Sequence, residues 1–103
     1  MTVGSADDKF IALPPGSIRA TSGREFRALL RLIWTSSGRS FGEIAYRSGI
    51  GKSQVHNLGA PRLAGVPEDA NQVQRYLTCC RLPPAQIALV MDLWSQLCEV
   101  ERD

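Results

Sequence analysis

The sequence predicts an all-α domain of five helices behind a flexible N-terminal arm. Three observations carry that prediction. Apolar residues recur at three- and four-residue spacing in successive stretches. Ser22-Gly23-Arg24-Glu25, Ser40-Phe41-Gly42-Glu43 and Asp69-Ala70-Asn71-Gln72 each have the form of a capping box, in which two side chains satisfy the unpaired N–H groups at a helix start. Glycines and prolines separate the stretches. At 103 residues the chain suits one domain around one core, read as an arm over 1–21 and a helical domain over 22–103.

Residues 1–21 hold Gly4, Pro14, Pro15 and Gly16, with only Phe10-Ile11-Ala12-Leu13 to bury, so the arm is expected to dock partly, through Phe10 and Leu13. The first helix is expected from Ser22 to about Ser36. Phe26, Leu29, Leu30, Ile33 and Trp34 form its apolar stripe; Arg24, Arg27 and Arg31 lie at the edge of the opposite face. The second starts at Ser40, carries Ile44, Ala45 and Ser48 and ends at Gly49, a residue for which a left-handed backbone is free of steric cost. Ile50 enters the core, and a third helix runs from about Lys52 to Leu58 with Val55 and Leu58 inward and Gly51 as a weak cap.

The Gly- and Pro-rich stretch 59–67 breaks the chain. A fourth helix follows Asp69 with Val73, Tyr76, Leu77 and Cys80 inward. Pro84 opens a fifth, predicted over about 84–101. Its apolar residues, Ile87, Leu89, Val90, Met91, Leu93, Trp94, Leu97, Cys98 and Val100, span an arc of roughly 200°, about twice what a surface helix buries. The excess points to a homodimer through Leu89, Leu93, Leu97 and Val100. The competing explanation is that Phe10–Leu13 folds back over Leu89 and Leu93.

Composition narrows the function classes. Hydrophobic residues make up 44% and charged residues 21%, and no apolar run approaches the roughly 18 residues of a membrane span. The start, with two acids and no apolar h-region, lacks the form of a secretory signal. Cys79, Cys80 and Cys98 are an odd number without metal-ligand spacing, which fits a reduced, cytoplasmic protein. The net charge of +2 is unevenly spread: neutral over 1–23, +5 over 24–62 and −3 over 63–103. Basic charge on the middle segment suits a polyanion, because phosphate neutralisation supplies most non-specific DNA affinity.

The stretch 41–60 resembles the helix-turn-helix of the Xre/Cro-like, phage-repressor-type family. Ala45 is the small residue at the helix crossing and Gly49 the turn glycine four residues on, while Ile44, Ile50, Val55 and Leu58 are the apolar positions. The resemblance covers about Ser22 to Leu82, and the C-terminal part is similar to short actinobacterial regulators. It implies a five-helix repressor-like fold, sequence-specific binding to double-stranded DNA as a transcription regulator, and association with the nucleoid when bound. By position it implies that Lys52, Ser53, Gln54, His56 and Asn57 read bases in the major groove, and that Arg39, Ser40, Arg47 and Arg62 hold phosphates. Phe41 departs from the pattern, since family members place a polar, phosphate-bonding residue there.

Other chemistry fits less well. Gly51-Lys52-Ser53 lacks the earlier glycine of a phosphate loop, where Tyr46 stands, so no nucleotide is expected. His56 is the sole histidine, without a cysteine or carboxylate at ligand spacing, so neither a metal nor another cofactor is implied, and no constellation suggests an enzyme. The alternative function is protein interaction, either an adaptor that docks through the last helix or an antitoxin that binds its toxin and its own operator.

Overall fold

A computed structural model describes residues 9–63 and 65–102. After a short 3-10 turn at Pro15–Ser17 come α1 (Gly23–Ser37), α2 (Phe41–Ser48), α3 (Lys52–Leu58), α4 (Ala70–Cys79) and α5 (Pro84–Arg102). The architecture is all-helical, with no strand among the described residues. None of these helices is long and apolar enough to cross a membrane.

The helix starts follow from their caps. Ser22 Oγ accepts from Glu25 N at 3.1 Å, but the reciprocal bond slips by one residue: Glu25 Oε1 accepts from Thr21 N at 2.9 Å and from Thr21 Oγ1 at 2.8 Å. These two donors hold the Glu25 carboxyl below its ordinary pKa. Ser40 Oγ accepts from Glu43 N at 3.1 Å, whereas the Glu43 carboxylate turns outward, 3.7 Å from Arg39 Nε and 3.5 Å from Arg47 Nε. Asp69 Oδ1 accepts from both Asn71 N and Gln72 N. Gly38 and Gly49 close α1 and α2 in the left-handed region, at φ 73° and 77°.

One core joins all five helices. Phe26, Leu30 and Ile33 of α1 meet Ile44, Val55, Val73, Tyr76, Leu77, Leu82 and Val90, all completely or almost completely buried. The Tyr76 hydroxyl donates to Leu30 O at 2.8 Å, which satisfies its polar atom inside this cluster. Burial raises the phenol pKa well above its ordinary value and pushes the neighbouring Cys80 thiol up to about 12.

Three expectations need correction. Arg27 is not on an exposed basic face. It is buried, with Nε donating to Gly65 O at 2.8 Å and Nη1 to Asn57 O at 2.6 Å, because the α3–α4 connection crosses α1 there. The other end of that connection is held by α5: Trp94 Nε1 donates to Pro67 O at 2.7 Å, and Glu101 Oε1 accepts from Val66 N at 3.2 Å. Gly23 lets the crossing happen, since a Cβ there would stand 2.4 Å from the Gly65 carbonyl carbon.

The second correction concerns the arm. Residues 1–8 lie outside the described residues, but from Ile11 on the segment is fastened to the body. Ile11 N donates to Arg81 O, and the Gln86 amide pairs with both backbone groups of Leu13 at 2.9 Å. Leu13 and Ala20 are buried, whereas Phe10 stays 63% exposed and only borders Ile87 and Met91 of α5. The segment meets the first turn of α5 and does not cover Leu89, which stays 51% exposed.

Third, Leu97 is buried against the chain's own core and has no side chain left to offer a partner. On that side of α5 the large apolar residues left open are Leu89 and Val100, 67% exposed, with Leu93 half-buried between them.

Candidate nucleic-acid interface

The connection between α2 and α3 is three residues long, Gly49-Ile50-Gly51, and its middle side chain is buried. Ser48 Oγ accepts from Ile50 N at 3.1 Å, and Gly49 N donates to Ala45 O at 3.0 Å, so the turn is closed by hydrogen bonds on both sides. Val55 and Leu58 then fasten α3 to the core by its inner face. Its far end is clamped as well, by the Arg27 bond to Asn57 O and by the close approach of Gly59 to Arg31 and Tyr76. A seven-residue helix, marginal in isolation, is thereby held by tertiary contacts at start, middle and end.

What α3 leaves outside is polar. Lys52, Ser53, Gln54 and His56 are exposed and Asn57 is half-buried at the edge. Two of these side chains are tethered from outside the helix. Gln54 Nε2 donates to Gln72 Oε1 of α4 at 3.2 Å, and the His56 ring stands edge-on to Phe41 of α2, with centroids 5.2 Å apart and planes at 74°. Phe41 in turn stacks on Trp34 of α1 at 4.2 Å and 14°, and the Arg31 guanidinium lies over Trp34 at 5.7 Å. Phe41 thus sits at the centre of an aromatic chain linking three helices.

The four residues assigned to phosphates separate. Arg47 is exposed on α2 and Arg62 on the loop past α3; Ser40 is exposed at the start of α2, its Oγ already accepting from Glu43 N. Arg39 is different. Its side chain is only 7% exposed and its Nη1 donates to Cys79 O at 2.7 Å, so it braces the C-terminus of α4 and is withdrawn as a phosphate ligand.

No protein-family model, curated protein or solved structure matches this chain. The residues themselves therefore carry the functional reading. Two cations that sequence reasoning did not assign to phosphates border the same surface: exposed Arg31, next to α3 through Gly59, and exposed Arg75, whose Nη1 donates to Ser48 O at 3.3 Å beside the turn. Their charge was visible in the sequence. Their neighbourhood was not, because both contacts join distant segments. Tyr46, 89% exposed on α2, is the most exposed large hydrophobic side chain among the described residues.

Proposed function

We propose that the chain is a sequence-specific double-stranded DNA-binding protein of the helix-turn-helix type, acting as a small transcription regulator with α3 in the major groove. The observation that carries this reading is the division of α3: Val55 and Leu58 buried, and Lys52, Ser53, Gln54 and His56 outward as one polar face on a helix held at both ends. Lys52 suits guanine O6 and N7, Gln54 or Asn57 suits adenine N6 and N7, and Ser53 suits either. Arg31, Arg47 and Arg62 are the phosphate ligands, within the segment that holds the positive charge. Leu89, Leu93 and Val100 provide a two-fold contact that sets two α3 helices against half-sites about one helical turn apart.

An adaptor keeps the same apolar stripe and gives it to a different protein. Selection of bound fragments from a random duplex library, followed by a salt titration on the selected sequence, separates the two. An enriched, inverted-repeat sequence with affinity falling steeply in salt supports the DNA reading. Absence of both enrichment and salt-dependent duplex binding sinks it.

A further inference from the structure

We infer that Phe41 is a specificity-determining positioning residue, which holds the His56 imidazole on the outer face of α3 in the orientation from which it meets a base edge; the inference rests on the DNA reading above.

The argument starts from the freedom of an exposed side chain. A solvent-facing imidazole on a short helix samples several rotamers, and ordering it on binding costs entropy while leaving it able to adapt to a wrong base. Here the ring is met by the Phe41 ring at 5.2 Å and 74°, an edge-to-face arrangement. Phe41 is itself prevented from turning away. It is the first residue of α2, directly behind the Ser40 cap, and its face is stacked on Trp34 at 4.2 Å. The three helices that supply these rings are fixed to one another through Ile33, Ile44 and Val55, which are buried in one cluster. The position of His56 is therefore transmitted from the core through two rings. Lys52 and Ser53 meet no side-chain partner among the described residues, and Gln54 is held on the opposite flank, by α4.

The test compares Phe41→Leu, Phe41→Tyr, His56→Ala and the Phe41→Leu/His56→Ala double variant on the selected duplex and on duplexes changed one base pair at a time. His56→Ala is expected to relax discrimination at one base pair. Phe41→Leu should reduce discrimination at that same pair by about 3- to 10-fold, the range of an aromatic pair contact, and should add nothing in the double variant. Phe41→Tyr, which keeps the ring, should retain the wild-type preference. In the free protein, the His56 ring-proton resonances should move toward unstructured values in Phe41→Leu and stay in place in Phe41→Tyr. Additive effects, or effects at different base pairs, overturn the inference, as do His56 resonances that ignore Phe41→Leu in a folded protein. A wild-type chain that selects no sequence overturns the DNA reading itself, and the specificity role with it.

Discussion

Arg39 and Arg81 close each other's helices. Arg39, just past α1, donates from Nη1 to Cys79 O at the end of α4, and Arg81, just past α4, donates from Nη2 to Ser37 O at the end of α1. Each cation lies at the negative pole of a helix that is not its own, where unpaired carbonyls need donors. Arg81 reaches this place from a left-handed backbone, φ 66°, that reverses the chain after α4. Because α2 begins two residues after Arg39, this exchange also sets where the α2–α3 pair leaves the body of the molecule.

It follows that Arg39 and Arg47, both arginines flanking Glu43, behave differently when removed. Arg39→Ala breaks a charge-assisted bond to a backbone carbonyl and is expected to cost about 1–3 kcal/mol of stability. The salt slope of DNA binding should not change. Arg47→Ala removes an exposed cation whose pairing with Glu43 stabilises by at most about 1 kcal/mol, and should reduce the salt slope by about 1. Urea unfolding and a salt titration of duplex binding measure the two. A lowered slope in Arg39→Ala would return that residue to the phosphate contacts.

On the proposed DNA reading, Asn57 and Arg62 should divide base reading from backbone contact. Asn57→Ala keeps the carbonyl that Arg27 uses, so α3 stays clamped and only the side chain is lost. Base preference should relax at one position, by about 1–3 kcal/mol if the lost contact is a bidentate pair. Arg62→Ala should weaken binding to all sequences alike and lower the salt slope by about 1. Fragment selection repeated with each variant provides the check, and identical profiles would show that the two contacts were sorted wrongly.

These two predictions differ in how far they were legible in the sequence. The bounds of α3 and its inward pair were readable because Gly51 and Gly59 bracket a short run in which Val55 and Leu58 are the only large apolar residues. The caps at Ser22, Ser40 and Asp69 were readable for the same reason: the bond lies within a few residues. Arg39 and Arg27 were misjudged because their partners, Cys79 O, Gly65 O and Asn57 O, lie 30 to 40 residues away. The Gln86 clamp on Leu13 spans 73 residues, and no local pattern announces it. Phe41 stood out as an anomaly, but its meaning depended on Trp34 and His56, which meet it only in the folded chain.

Alkaline pH should unfold the protein through the core pair Tyr76 and Cys80. Burial raises both groups above their ordinary values of 10.0 and 9.0, the thiol to about 12, so the folded state favours their protonated forms. Stability from these groups is fully present below about pH 9 and is lost as pH rises through 9 and 10 toward the folded values, since the unfolded chain releases the protons first. Tyr76→Phe should flatten this decline while costing about 1 kcal/mol at neutral pH for the lost bond to Leu30 O. Denaturant midpoints measured between pH 7 and 11 test the sign. A midpoint that rises with pH over that interval contradicts it.

The apolar side of α5 yields opposite expectations for residues only a few positions apart. Leu97 is buried in the core, so Leu97→Ala should destabilise the fold by about 2–5 kcal/mol and leave association to follow from whatever remains folded. Leu89 and Val100 are exposed, and their replacement removes nothing from the core. Leu89→Glu and Val100→Glu should therefore keep the thermal midpoint of the monomer. At the proposed two-fold contact each would forfeit burial of about 1.5–3 kcal/mol and add acids to a helix that already carries Asp92, Glu99 and Glu101. Sedimentation at micromolar concentration should show a dimer for the wild type and a monomer for the double Glu variant. The same variant should lose affinity for a two-half-site duplex while keeping that for a single half-site. A wild type that sediments as a monomer, with Leu89→Glu binding the full site as well as the parent does, would assign the exposed stripe to a partner other than a second copy.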